Sequence, residues 1–170
     1  TVKGYRAPCF SMDRGKLDVL SEIGFEYDSS YIRFSKHPLY GEIDMDGFVK
    51  EQSLVYSRDG FYEFEIPTLN IAGTNIPISG GGYMRLFPFF LIKMLFRRYL
   101  KRNENILFYI HPFEMTNTKI PFSSGTGFIK RFRASTGRRN NMRKLRKLIM
   151  WMKDTGVEFA TPSDFIVNTG

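Results

Sequence analysis

Cysteine and histidine are almost missing from this chain: its 170 residues hold one Cys, Cys9, and two His, His37 and His111. A single cysteine excludes an internal disulfide and a cysteine metal cluster, and it leaves the redox compartment open. Scattered this way, the three residues make no zinc site of the usual ligand number and spacing. Long apolar runs are missing as well. The best one, 86–95, is interrupted by Lys93 and followed by Arg97 and Arg98, so it falls short of the roughly 18 apolar residues of a membrane span. No signal peptide is visible at Thr1, and the chain enters a strand-like run without an initial Met. It reads as a fragment. Internal repeats and low-complexity tracts are lacking too.

Aromatic residues are what it has instead, with 17 Phe and 9 Tyr. So much ring surface implies either a thick core or a groove that stacks flat ligands such as sugar rings. The length predicts one domain over 1–170 with a sizeable core. The net charge of +8 is local. Between Ile129 and Lys147 there are nine basic residues and no acidic one, which accounts for the whole excess.

The order of elements reads as α/β. A strand over Val2–Arg6 leads through "APCFSM" to a helix that Asp13 caps, Leu17, Leu20 and Ile23 stripe, and Gly24 ends. "FEYD" reads as a second strand and "YDSS" as a turn in which Asp28 and the serines cap nearby amides. Irregular β pieces follow up to Gly82. In "FYEFEIP", Tyr62, Phe64 and Ile66 alternate with Glu63 and Glu65, which predicts a strand with one polar face. "SGGGY" at 79–83 reads as a tight loop, Pro88 as the first turn of a helix to about Arg102, and 106–110 as a buried strand. Residues 112–137 read as a long loop. A basic amphipathic helix over 139–153 is expected to bury Met142, Leu145, Leu148, Ile149 and Met152. "VEFA" then reads as a last strand and "TPSD" as a capped helix start. Because Arg6, Asp28 and His111 follow strands, the pattern favours a barrel with its site at the strand carboxyl ends.

His111, closing "ILFYIHPFE", has two readings. It is either a core histidine satisfied by a backbone carbonyl or a general acid or base, held at a corner by Pro112. Glu114 either orients a basic partner or is solvated. Arg6, presented from a stiff Ala-Pro segment, suits a carboxylate, or is merely a surface residue. In "GGGY", the bare backbone of Gly81 and Gly82 would let a sugar approach while Tyr83 stacks on its ring; the other reading is a plain turn. The absent GKS/T ending excludes a P-loop. The basic helix is either a solvated face or a dock for an anionic glycan, lipid headgroup or membrane surface. Nucleic acid would use the same charges, but no binding motif accompanies them, so it is not an expected partner.

"GYRAPCFSMDRGKLDVLSEIGFEYDSS", "EFEIPTL", "GGGYMRLFP" and "FYIHPFE", in this order and spacing, resemble the C-terminal half of a polysaccharide deacetylase. That family is the family 4 carbohydrate esterases with NodB homology, here in the exopolysaccharide-locus branch. The resemblance implies a partial or distorted (β/α) barrel missing its N-terminal strands. It also implies a hydrolase acting on N-acetyl, less readily O-acetyl, groups of a bacterial surface polysaccharide. Arg6 and Pro8 match its Arg-x-Pro motif, whose arginine orients the base aspartate. The Cys9 backbone N–H would face the oxyanion, and His111 would protonate the leaving amine. Cys9 and Tyr109 stand where the family usually has Tyr and Leu. The base aspartate and the ligands of a divalent metal, zinc for preference, belong to motifs this chain lacks. Expected partners are an acetylated polysaccharide and either the missing N-terminal half or a second copy; the expected location is bacterial, the cytoplasm ahead of the cell envelope. The other functional reading is a non-catalytic glycan- or polyanion-binding module.

Overall fold

The computed structural model describes residues 1–34, 40–103 and 105–167. It is a mixed α/β structure in two compact units, one comprising Thr1–Pro77, Tyr99–Leu107 and Ala160–Gly170, the other Ile78–Arg98 and Phe108–Phe159.

The first unit is built on an open five-stranded sheet. Strands β1 (Gly4–Tyr5), β2 (Tyr27–Asp28), β3 (Val49–Gln52), β4 (Val55–Arg58) and β5 (Phe61–Phe64) lie in the order β1-β2-β5-β4-β3. Pairing is parallel from β1 through β2 to β5 and antiparallel from β5 through β4 to β3. The β4–β5 turn places both Asp59 and Gly60 at positive φ, as a tight hairpin turn requires. Edge strand β3 is almost wholly exposed and carries Lys50 and Glu51, which discourages further strand pairing. Helix α1 (Arg14–Glu22) begins as its sequence predicts, the Asp13 carboxylate accepting from Lys16 N–H at 3.0 Å. Its Leu17 and Leu20 join Ala7, Met12, Ile43 and Phe61 in the core, with Phe25 and Phe48 against them. A separate hairpin, β6 (Thr68–Ile71) with β7 (Thr74–Pro77), completes the β structure. Helix α6 (Pro162–Val167) starts on reciprocal Thr161–Asp164 hydrogen bonds, as "TPSD" predicts.

The second unit is helical. It holds α2 (Gly81–Leu86), most of α3 (Phe89–Leu100), α4 (Phe128–Ser135) and α5 (Asn141–Asp154). Met84, Ile92, Phe96, Leu148 and Met152 are buried. Lys144 donates to the carbonyls of Met84, Arg85 and Phe87 at 3.2, 2.8 and 2.7 Å and so satisfies the otherwise unpaired end of α2. Burial there pushes the Lys144 ammonium pKa down.

Several expectations change. The glycine run opens α2 instead of forming a loop. Residues 106–110 make no ladder, only a bridge from Tyr109 to Gly80, and 157–160 form no strand. The long loop 112–137 contains a 3-10 turn, Pro112–Met115, and all of α4. On α5, Met142 is exposed and only Leu148 and Met152 of the five expected residues are buried. The sheet is α/β in class and, among the described residues, no closed barrel forms. No helix among them is long and apolar enough to cross a membrane.

Candidate functional site

In the first unit, Arg6 and Cys9 lie just after β1. Arg6 donates through Nε to the Ser29 carbonyl at 2.8 Å and through Nη2 to the Ser29 hydroxyl. Ala7 N–H donates to Ser30 Oγ at 2.8 Å. The two strand ends are thus sewn together, and "YDSS" is a partner of the arginine loop, more than a local turn. Pro8–Phe10 forms a 3-10 turn with Cys9 at φ 53 and Phe10 at φ 52. Left-handed φ at two consecutive side-chain-bearing residues is costly and persists only where the surrounding structure holds it. It leaves Cys9 exposed in the turn, which is closed by the Phe10 N–H donating to the Ala7 carbonyl at 3.0 Å.

Beneath this loop lies a carboxylate pair that the sequence pattern hides. Asp28 and Glu63 are register partners on β2 and β5, and both are fully buried. Glu63 Oε1 accepts from the N–H groups of Ser30 and Tyr31 at 2.9 and 2.8 Å. The amides expected to be capped by Asp28 are therefore capped by Glu63. The Asp28 oxygens and Glu63 Oε2 have no hydrogen bond of normal geometry. Burial, and after it the charge of Asp28, raises the Glu63 pKa well above its ordinary value; burial also raises that of Asp28, opposed by its contacts with Ser30 and, less, by the Arg6 charge. Both shifts favour the protonated over the ionised form. Glu65, also expected on the polar face, is buried too, bound by Arg33 at 3.0 Å and by the Tyr56 hydroxyl at 2.8 Å.

In the second unit, His111, Glu114, Gly81 and Arg85 come together. His111 N–H donates to Glu114 Oε2 at 3.0 Å, and Glu114 N–H to the His111 carbonyl at 2.9 Å. The other Glu114 oxygen accepts from Arg85 Nε at 3.0 Å, in an ion pair almost fully removed from water. Of the two readings of Glu114, the basic partner is the one found. A side chain at position 81 would put its Cβ 1.7 Å from Glu114 Oε2. The close approach that Gly81 permits is therefore taken by this carboxylate, whereas Gly82 faces open space and Tyr83 is half-buried beside Phe87. The imidazole itself is exposed, edge-on to Tyr109 and stacked on Phe113, each 5.7 Å away between centroids. It is not a core histidine. Its backbone is clamped from inside while its ring faces solvent. The cavity behind Tyr109, lined by Ser79, Met84, Ile92, Phe96 and Leu148, encloses about 10 Å³. That is room for a water and too little for a sugar.

His37 lies outside the described residues. Among those described, no three His, Cys, Asp or Glu side chains are grouped to hold a metal ion, so the described residues do not fit one. Asp28 was placed at the strand ends from sequence, but its pairing with Glu63 was not, and Arg85 was missed altogether. Arg85 carried a faint signal, a lone cation among the apolar residues of 83–91.

Taken by themselves, these are an α/β protein's two polar constellations, one a strapped arginine loop over a buried carboxylate pair, the other a clamped histidine corner. The chain belongs to the family described as Domain of unknown function (DUF3473), whose model matches residues 29–165. No curated protein and no solved structure matches it.

Proposed function

We propose that this chain is the C-terminal part of a polysaccharide deacetylase, a hydrolase that removes N-acetyl, less readily O-acetyl, groups from a bacterial surface polysaccharide. On this reading the open sheet is part of a distorted (β/α) barrel completed by residues that also bring the base and the divalent metal, zinc for preference. The observation that carries the proposal is the clamped, solvent-facing imidazole of His111. A general acid must reach its leaving group while keeping its orientation, and this corner supplies both. The fixed loop after Arg6 supports the same reading by presenting the Cys9 N–H as an oxyanion donor. The residues of this chain would steady the base through Arg6, hold the oxyanion at Cys9 and protonate the amine from His111, with Gly82 and Tyr83 offered to the sugar.

The test is His111→Ala in the protein assembled with its metal-bearing half. Deacetylation of an N-acetylated glycan should fall by about 10²–10⁴-fold while metal content stays the same. Unchanged turnover would remove His111 from the role. Saturable glycan binding with no hydrolysis, even with the other half and metal supplied, would replace the proposal with a non-catalytic glycan- or polyanion-binding module, which the exposed cations from Lys130 to Lys147 also suit.

A further inference from the structure

Helix α4 is held in an unusual way. It buries no side chain of its own, and Phe128, Ile129 and Phe132 are 81%, 72% and 54% exposed. What fixes it is polar: buried Arg85 donates through Nη1 to the carbonyls of Arg133, Ala134 and Thr136 at 2.9, 3.2 and 2.8 Å. Spacings of one and four residues place the three apolar side chains on one arc of the helix, and Phe128 stacks on Phe132 at 6.4 Å. Lys130, Arg131 and Arg133 occupy the rest of its circumference and are exposed. Four more exposed cations follow from Arg139 to Lys147, with no acidic residue in the whole segment. Arg131 is held by the Thr126 and Ser123 carbonyls at 2.9 and 3.1 Å, and Arg138 and Lys144 are engaged internally, so these three do not count towards this surface.

From this we propose that α4 docks on an anionic lipid bilayer, its Phe128–Ile129–Phe132 arc entering the interface and its cations meeting the headgroups. The pairing of the two features selects the partner. A polyanionic glycan would satisfy the charges and leave three large apolar side chains in water. A second copy of the same face would set cation against cation. A bilayer with acidic headgroups accepts both at once. This inference stands apart from the deacetylase reading and needs no catalysis to be tested.

The experiment is co-sedimentation of the full chain with phosphatidylcholine vesicles, with and without phosphatidylserine, and with heparin as the polyanion control. Binding is expected only to the phosphatidylserine vesicles, weakening as salt rises. Replacing Phe128, Ile129 and Phe132 together by Ser should lower vesicle affinity by about tenfold or more and leave heparin retention unmoved. Replacing Lys130 and Arg133 by Ser should lower both. Should the triple variant not fold, Phe132→Trp decides: the emission of the introduced indole, as the difference from a parent whose one tryptophan is Trp151, should shift to the blue and be quenched by brominated lipid. No binding of the parent chain, a folded triple variant that binds as tightly as the parent, or an introduced indole whose emission vesicles do not alter would each overturn the proposal. Vesicle and heparin binding that follow the cations alone would also overturn it, in favour of a plain polyanion surface.

Discussion

Glu63 shows how a single residue can carry a pH dependence. Its carboxyl, buried and facing Asp28, has its pKa raised well above the ordinary value by desolvation first and by Asp28 second. The folded state therefore binds a proton that the unfolded chain has released, over the window between the unfolded carboxylate value, about 4.3, and the raised folded one. The sign follows. Stability from this group is fully present below the unfolded value and falls as pH rises through the window, by up to about 1.4 kcal/mol per pH unit for one proton. Glu63→Gln keeps an oxygen for the amides of Ser30 and Tyr31 and removes the titration. Urea unfolding at several pH values should show a flatter profile for the variant and a gain over the parent at the alkaline end. An unchanged slope would mean that the pair does not hold the proton. The same residue shows where reading from sequence stops. The alternation in "FYEFEIP" reports polarity, and a polar face is normally the wet one. Nothing local says that β2 will bring Asp28 opposite Glu63 and close that face. Tyr56 belongs to the same inversion: burial and its bond to Glu65 push its hydroxyl up to about 12.

Among elements, the legible ones are those whose signal is local. Asp13, Leu17, Leu20 and Gly24 contain the start, stripe and stop of α1, although Ile23, expected on the same stripe, lies past its last turn and is 66% exposed; Thr161 with Asp164 contains the start of α6. Helix α4 was legible in principle, since Phe128, Ile129 and Phe132 fall on one arc at helical spacing; what the sequence hides is that this arc stays exposed and that the helix is fixed by Arg85, an arginine far earlier in the chain. "ILFYI" misled because an apolar run does not say whether a strand or a helix will cover it. The corner at its end was legible all the same, since Pro112 stops any ladder. Arg85 joins these elements, which makes it the place to test them. Replacing it by Met leaves Glu114 buried without its cation and should cost about 3–5 kcal/mol. Gly81→Ala breaks the same ion pair from the other side by driving a Cβ into Glu114. The two losses should therefore not add. Urea unfolding of both single variants and the double checks this, and limited proteolysis of Arg85→Met should show earlier cleavage within 116–137. Full additivity would mean that Gly81 and Arg85 serve separate contacts.

On the scale of the whole molecule, the α/β class could be read because helix and strand periods alternate along the chain, while closure of a barrel could not. Closure depends on which strands pair at the two edges, and that is decided by partners far apart in sequence. The functional proposal sits at this scale too. It divides the chemistry between an acid and an oxyanion donor carried here and a metal and base carried elsewhere. The metal is assigned elsewhere because three or four His, Cys or carboxylate donors must converge on one ion; whether any donors of this chain do so is a matter for measurement. The consequence can be weighed directly. Zinc added to the purified 170-residue chain and then dialysed should remain at well below one ion per chain, whereas the same chain assembled with its metal-bearing half should retain about one. Measured by elemental analysis, one tightly held ion on the chain alone would mean that its own donors converge, His37 among the candidates, and the split between the two halves would be wrong. No ion in either preparation would take the hydrolytic reading away, leaving the clamped histidine and the strapped arginine loop as parts of a binding surface.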